Sequence, residues 1–312
     1  MDVFYTDPFV LPLPPTHSFP ATKYARLRRR LVDEAIISAG WLRIPERATA
    51  EEIARAHDPG YYAQVVEGRL SEREVREIGL PWSPELVERS LRSVGATLAA
   101  ARSVLSESPP LDGLRVAFNL AGGTHHAHRD RGAGYCVFND TAVAARAMQA
   151  EGRCRKVVVI DCDVHQGDGT AAIFEGDPDV YTFSIHGAKN YPLRKTTSRL
   201  DVGLADGTGD EEYLAALEPA LATAIEESEA EMAFYLAGSD PYEGDRLGRM
   251  KLTKAGLAAR DRMVFEACRD AGLPAAVAMA GGYARDVEDT TTIQAETVRI
   301  AASMVRASPG GR

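Results

Sequence analysis

The sequence predicts a three-layer α/β/α protein with a mostly parallel central sheet, and three observations carry that prediction. Five short, continuous apolar runs lie at residues 116–120, 157–160, 180–185, 232–237 and 275–280, and such runs bounded by turn residues suit strands buried on both faces. Between several of them lie stretches of helical periodicity at 141–150, 211–227 and 253–271, the alternation expected of parallel strands joined by helices. Every run also ends in glycines or polar groups, as at the ligand-binding edge of an open α/β sheet.

From the N-terminus, a basic stretch predicts a helix over 21–39, stopped by Gly40. Thr49-Ala50-Glu51-Glu52 has the form of a capping box that opens a short helix. Ser83-Pro84 caps and starts a long helix to residue 105, with proline at the first helical position. The first apolar run then delivers Gly122-Gly123-Thr124-His125-His126, and the second empties into Asp161-Cys162-Asp163-Val164-His165-Gln166-Gly167-Asp168. The third ends in Ser184-Ile185-His186, the fourth in Gly238-Ser239-Asp240 and the last in Gly281-Gly282-Tyr283. No repeat or low-complexity linker interrupts the pattern, so residues 1–312 read as one domain, a size that large α/β folds reach.

Composition narrows the function classes. Hydrophobic residues at 45% and charged residues at 26% fit a globular protein. A formal net charge of −9 offers no basic patch for phosphate backbones, so nucleic acid is not an expected partner. The same balance tolerates basic substrates such as lysine peptides or polyamines. Cys136, Cys154, Cys162 and Cys268 lack paired spacing and read as reduced thiols. With neither a signal-peptide pattern at the N-terminus nor an apolar stretch of spanning length, the expected location is the cytoplasm.

The strand ends carry the chemistry. In an extended chain Asp161, Asp163 and His165 share one face, and carboxylates crowded with an imidazole call for a cation. A solvated Asp-Gly turn is the plain alternative. Asp163, His165 and Asp240 together make a three-ligand set with an open position, the pattern of catalytic zinc, and two hard carboxylates also suit ferrous iron or cobalt. His125 and His126 can both turn into one pocket, each needing an orienting carboxylate, for which Asp161 and Asp168 are available. That arrangement would set a general base beside a metal-bound water. Tyr283, after two glycines, can donate a hydrogen bond to a developing oxyanion; as an isolated residue it would read as an ordinary half-buried tyrosine.

These motifs, in this order, resemble the zinc-dependent histone deacetylase superfamily and its arginase/deacetylase fold. The carrying segments are Gly122-Gly123-Thr124-His125-His126-Ala127, Asp130 through Asp140 (with Gly134-Tyr135-Cys136-Val137-Phe138-Asn139), Asp161 through Gly169, Ala237-Gly238-Ser239-Asp240 and Gly281-Gly282-Tyr283. Gln166 and the segment from Pro15 to Tyr24 resemble the class IV branch and its bacterial relatives. The resemblance implies zinc on Asp163, His165 and Asp240, with His125 paired to Asp161 and His126 to Asp168. His126 would be the general base and acid, and Tyr283 would polarise the acyl carbonyl. Gly134, Tyr135 and Tyr191 would bind the acyl-lysine, and a structural potassium would sit at Asp161, Asp163, His165, Ser184 and Ile185. Tyr135 and Tyr191 stand where phenylalanine is frequent, Pro241 follows the metal-binding Asp240, and Asp58 is the candidate for an acidic clamp on the substrate backbone.

The expected activity is a zinc-dependent removal of acetyl or longer acyl groups from lysine side chains, with an acyl-lysine protein or peptide, or another acylated amine, as partner. The rivals are an acetylpolyamine deacetylase, an arginase-like ureohydrolase with two bridged metals, and a non-catalytic acyl-lysine binder. The set of His126, Asp168 and Tyr283 argues against the last, since binding alone does not need all three.

Overall fold

The computed structural model describes residues 1–14, 16–106 and 113–305; Pro15 of the class IV-like segment lies outside them. The strands are β1 (Val3–Phe4), β2 (Leu42–Arg43), β3 (Val116–Asn119), β4 (Val157–Asp161), β5 (Val180–Gly187), β6 (Leu200–Leu204), β7 (Met232–Leu236) and β8 (Ala275–Ala278). They form one sheet in the order β2-β1-β3-β8-β7-β4-β5-β6, and every pairing is parallel. The predicted sheet is therefore parallel throughout. The five apolar runs of the sequence are β3, β8, β7, β4 and β5, consecutive neighbours that bring their polar ends together at one edge.

Ten helices cover the sheet among the described residues: α1 (Lys23–Asp33), α2 (Ala50–Ala54), α3 (Pro59–Val66), α4 (Glu72–Ile78), α5 (Pro84–Val104), α6 (Asp140–Ala150), α7 (Asp168–Ile173), α8 (Asp210–Ser228), α9 (Lys254–Asp270) and α10 (Val287–Met304). Strand alternation sorts the core into two layers. Val158 and Ile160 of β4 pack with Leu27 of α1, Leu217 of α8, Phe265 of α9 and Val298 of α10. Val157 and Val159 point the other way, into the layer of Ile53, Val65, Leu91 and Val143. Burying each such side chain is worth about 1.5–3 kcal/mol, so the buried strands need apolar residues on both faces.

Local signals account for most boundaries. The box at Thr49 and Glu52 forms with both hydrogen bonds, and Ser83 caps α5 through Leu86 N–H. The helix expected over 21–39 is shorter. It stops at Asp33, where Ala35 takes a left-handed φ of 51° and the N–H groups of Ile36 and Ile37 both donate to Leu31 O. Ile36 and Ile37 are thereby turned into the core, which outweighs the helical periodicity of that stretch. Gly40 falls instead in a short 3₁₀ turn, Ala39–Trp41. At the opposite, amino edge of the sheet, the turns feeding β4, β5 and β8 carry Gly152, Gly176 and Gly272, where an added Cβ would meet no atom within 4 Å.

Candidate metal centre and active site

The ends of β4 and β7 build a cluster of three buried ligands. One atom from each of Asp163, His165 and Asp240 lies within 4.8 Å of the others, and His165 Nδ1 stands 3.0 Å from Asp163 Oδ1 and 3.3 Å from Asp240 Oδ2. Asp240 Oδ1 accepts Val164 N–H at 2.9 Å, but its Oδ2 is buried and makes no hydrogen bond, His165 Nδ1 at 3.3 Å being misaligned for one. Burial and the neighbouring Asp163 push Asp240 up to about 7. His165 is raised to about 10 because Asp163 and Asp240 outweigh the desolvation that opposes its charge. A buried acceptor without a donor, among carboxylates that strain against one another, is the donor set a divalent cation fits. The approach is tight enough to require glycine. A Cβ at Gly281 would collide with Asp240 Oδ2 and stand 2.5 Å from Asp163 Oδ2.

Beside this cluster the turn after β3 presents two imidazoles, their ring centroids 4.1 Å apart. His125 Nδ1 is 2.6 Å from Asp161 Oδ2, and His126 Nδ1 is 2.6 Å from Asp168 Oδ1. The pairs are held differently. Desolvation lowers the His125 pKa, but Asp161 and Asp163 overcome it and raise the group to about 9. For His126, desolvation and the charge of His125 prevail over Asp168 and lower it to about 4. One imidazole thus favours its cation and the other its neutral form, a division suited to distinct acid–base roles. His126 lies toward the cluster, its ring 5.9 Å from that of His165.

Tyr283 is half-buried and lines the same cavity. Its N–H donates to Asp245 Oδ2 at 2.6 Å, and its carbonyl accepts Arg246 Nε–H at 3.0 Å. Desolvation raises its phenol well above the ordinary value, so the hydroxyl stays a donor. The cavity, about 530 Å³, is flanked by Tyr135 and Tyr191, with the Tyr191 ring edge-on to His126 at 4.8 Å. Gly134 lies between, at φ +54°, where a Cβ would come within 2.6 Å of His126 Cδ2 and 3.3 Å of Tyr191. The Tyr135 hydroxyl is bonded to Ser18 Oγ at 2.8 Å, tying the cavity wall to the segment before α1. Ser184, in register with Asp161 across β4 and β5, has its hydroxyl 2.9 Å from His186 Nδ1, and Ile185 follows it, buried.

Asp58, the candidate clamp, serves elsewhere. Its Oδ1 accepts the N–H groups of Gly60 and Tyr61 and caps α3. Glu77 is the acidic side chain at the cavity lining outside the metal cluster, and its Oε1 pairs with Arg73 at 2.8 Å. Pro241, which follows Asp240, is buried, its carbonyl accepting Leu252 N–H.

Several supporting residues carry no sequence signal of their own role. Asp140 accepts the N–H groups of Gly123 and Thr124 and the hydroxyls of Thr97 and Thr124, fixing the turn that bears both histidines. Arg260 of α9, fully buried, donates to the carbonyls of Cys162 at 3.2 Å and Gly238 at 2.5 Å. It thereby pins the loops on either side of the ligand cluster. His128 shares Asp168 with His126, its Nε2 at 3.1 Å. The nearest legible hint is that Asp140 closes one motif segment, His128 directly follows another and Asp245 lies shortly after Asp240, whereas Arg260 comes from a distant helix.

The chain matches the histone deacetylase domain over residues 17–298. An uncharacterised protein of Picosynechococcus sp. is 39% identical over 290 residues, covering 92% of this chain and 93% of that protein. The histone deacetylase-like amidohydrolase of Pseudomonas aeruginosa is 30% identical over 279 residues, covering 85% and 71%. Among solved structures, an HDAC homologue from Aquifex aeolicus superposes with a TM-score of 0.81 at 22% identity, covering 97% of this chain and 84% of the other. At that identity the superposition speaks for the fold.

Proposed function

The chain belongs to the histone deacetylase family, and from that premise we propose that it is a zinc-dependent amidohydrolase that removes acetyl or longer acyl groups from lysine side chains. The observation that carries this reading is the pair of buried imidazoles, each 2.6 Å from its own carboxylate, beside a ligand cluster whose Asp240 Oδ2 lacks a donor. Asp163, His165 and Asp240 would hold the zinc, with ferrous iron as a chemically similar occupant. When bound, such an ion supplies Lewis-acid polarisation of the amide carbonyl and lowers the pKa of water.

The remaining work falls to side chains. Neutral His126, its Nδ1 oriented by Asp168, takes a proton from the attacking water at Nε2 and returns it to the leaving lysine nitrogen. His125, held toward its cation by Asp161, adds positive charge beside the reacting carbonyl. The Tyr283 hydroxyl donates to the carbonyl oxygen as negative charge develops there. Gly134, Tyr135 and Tyr191 enclose the acyl-lysine stem, and a potassium ion at Asp161, Asp163, His165, Ser184 and Ile185 would brace the loops from beneath. Four buried free cysteines support a reducing cytoplasm, and Gln166 favours a bacterial class IV-like member. No helix among the described residues is long and apolar enough to cross a membrane.

The test is an assay of the zinc-loaded protein on lysine peptides bearing acetyl, octanoyl or myristoyl groups. Turnover of at least one is expected, with His126→Ala lowering kcat by about 10²–10⁴-fold at unchanged zinc content. Bound zinc without turnover of any peptide would overturn the lysine-deacylase reading, leaving acetylated polyamines and a non-catalytic binder as the next candidates.

A further inference from the structure

The chain as a whole is acidic, at a formal net charge of −9, yet the charge lining its cavity is positive. Lys189 and Arg249 stand at the exposed end, and Lys23 and Arg89 are buried within. Against them the lining offers Asp163, already in the ligand cluster, and Glu77, already paired with Arg73. Among the described residues no carboxylate lies within 4.0 Å of Lys189 or of its neighbour Arg194. Within 4.0 Å Arg249 has, among the described residues, only Asp206, at 3.6 Å and with both side chains substantially exposed, a pairing of little energetic worth.

Apolar surface accompanies this charge. Leu193, Tyr191 and Leu247 are 90%, 43% and 42% exposed, and all three line the cavity. The segment presenting them is braced. Lys195 Nζ donates to the carbonyls of Asn190 and Pro192 at 2.5 and 2.6 Å, Asn190 Nδ2 donates to Leu247 O at 2.8 Å, and Gln166 exchanges hydrogen bonds with the Thr196 backbone. A rim held in this way can bind a partner without first having to be ordered.

We propose that the substrate is an acylated lysine within an acidic polypeptide segment, its carboxylates meeting Lys189 and Arg249 and an apolar side chain lying on Leu193 and Leu247. This inference rests on the deacylase reading and names its substrate class. A positive mouth concentrates anionic segments and repels polycations, which disfavours polyamines and basic tails. It also favours departure of the product, whose freed lysine carries a new positive charge.

The experiment measures binding of fluorophore-labelled acetyl-lysine peptides, flanked by Asp, Ser or Lys, to the zinc-loaded protein, with hydrolysis followed in parallel. The Asp-flanked peptide is expected to bind about tenfold more tightly than the Lys-flanked one at low salt, with the advantage falling below about threefold at high salt. The double variant Lys189→Glu/Arg249→Glu should reverse the order. Equal or tighter binding of the Lys-flanked peptide, no measurable binding of the Asp-flanked one, or displacement by an acetylated polyamine at lower concentration would overturn the proposal. Selective binding without hydrolysis would defeat the deacylase reading and with it the proposed substrate, leaving an acyl-lysine binder that prefers acidic segments; hydrolysis without charge preference in binding would uphold that reading and overturn this proposal.

Discussion

The ligand cluster and the cavity mouth lie in one continuous cavity but are stabilised in opposite ways. Around the cluster the buried polar atoms are partnered, Asp240 Oδ2 apart. Asp140 receives four donors, each of His125 and His126 has its own carboxylate, and Arg260 holds two loop carbonyls. At the mouth, Leu193 is almost wholly exposed and Lys189 is exposed with no close carboxylate among the described residues. Low dielectric raises the cost of any error in the first region, while water forgives it in the second. Substitution is therefore expensive around the cluster and cheap at the mouth.

The sharpest way to break that contrast is Arg260→Leu. Its loss leaves Asp261 buried without its guanidinium partner and frees both loop carbonyls, so stability should fall by about 3–5 kcal/mol in a urea titration. A drop below about 1 kcal/mol would mean the buried network is as tolerant as the rim. Arg260→Lys, which keeps the charge but not the fork, should recover part of the loss.

A second, smaller effect follows from His57, which is buried and accepts Asn139 N–H at Nε2, at the cap of α6. Desolvation lowers it from 6.5 to about 4, so the unfolded chain binds this proton first. Stability from His57 is complete above pH 6.5 and is lost as pH falls from 6.5 toward 4, by up to about 3 kcal/mol. His57→Gln keeps an acceptor but does not titrate, and its stability should decline less steeply over that window. Identical slopes for the two proteins would show that His57 is not held neutral.

The smallest effect belongs to the wall. Tyr135→Phe removes the hydroxyl bonded to Ser18 Oγ, worth about 0.5–1.5 kcal/mol. We expect KM to rise modestly and kcat to change by less than about threefold, because that hydroxyl points to the covering segment. A tenfold fall in kcat would place it at the reacting amide and erase the distinction between wall and centre.

The sequence made the central fold legible because β3, β4, β5, β7 and β8 are continuous apolar runs with polar ends. It concealed β1 and β2, of two residues each, and β6, whose intermediate–exposed alternation at the sheet edge lacks a buried run. α10 carries a mixed buried face, in which Thr290, Thr291, Gln294 and Thr297 interrupt Ile293, Ala295, Val298, Ile300 and Ala301 and blur the apolar stripe. At the site, the ligand and imidazole residues were legible because each lies within a short motif. Arg260 was not, because it acts 98 positions from Cys162 and 22 from Gly238, and nothing local marks an arginine that will be buried. Asp58 misled for the converse reason. An aspartate before Pro59 is equally apt as a helix cap, and that is how the fold employs it.

The turns at the amino edge of the sheet have a practical meaning. Gly152, Gly176 and Gly272 face open space, on the side of the strands away from the ligand and imidazole clusters. An affinity handle, a fluorescent reporter or a tether to a solid support spliced into one of these turns would leave the cavity unobstructed.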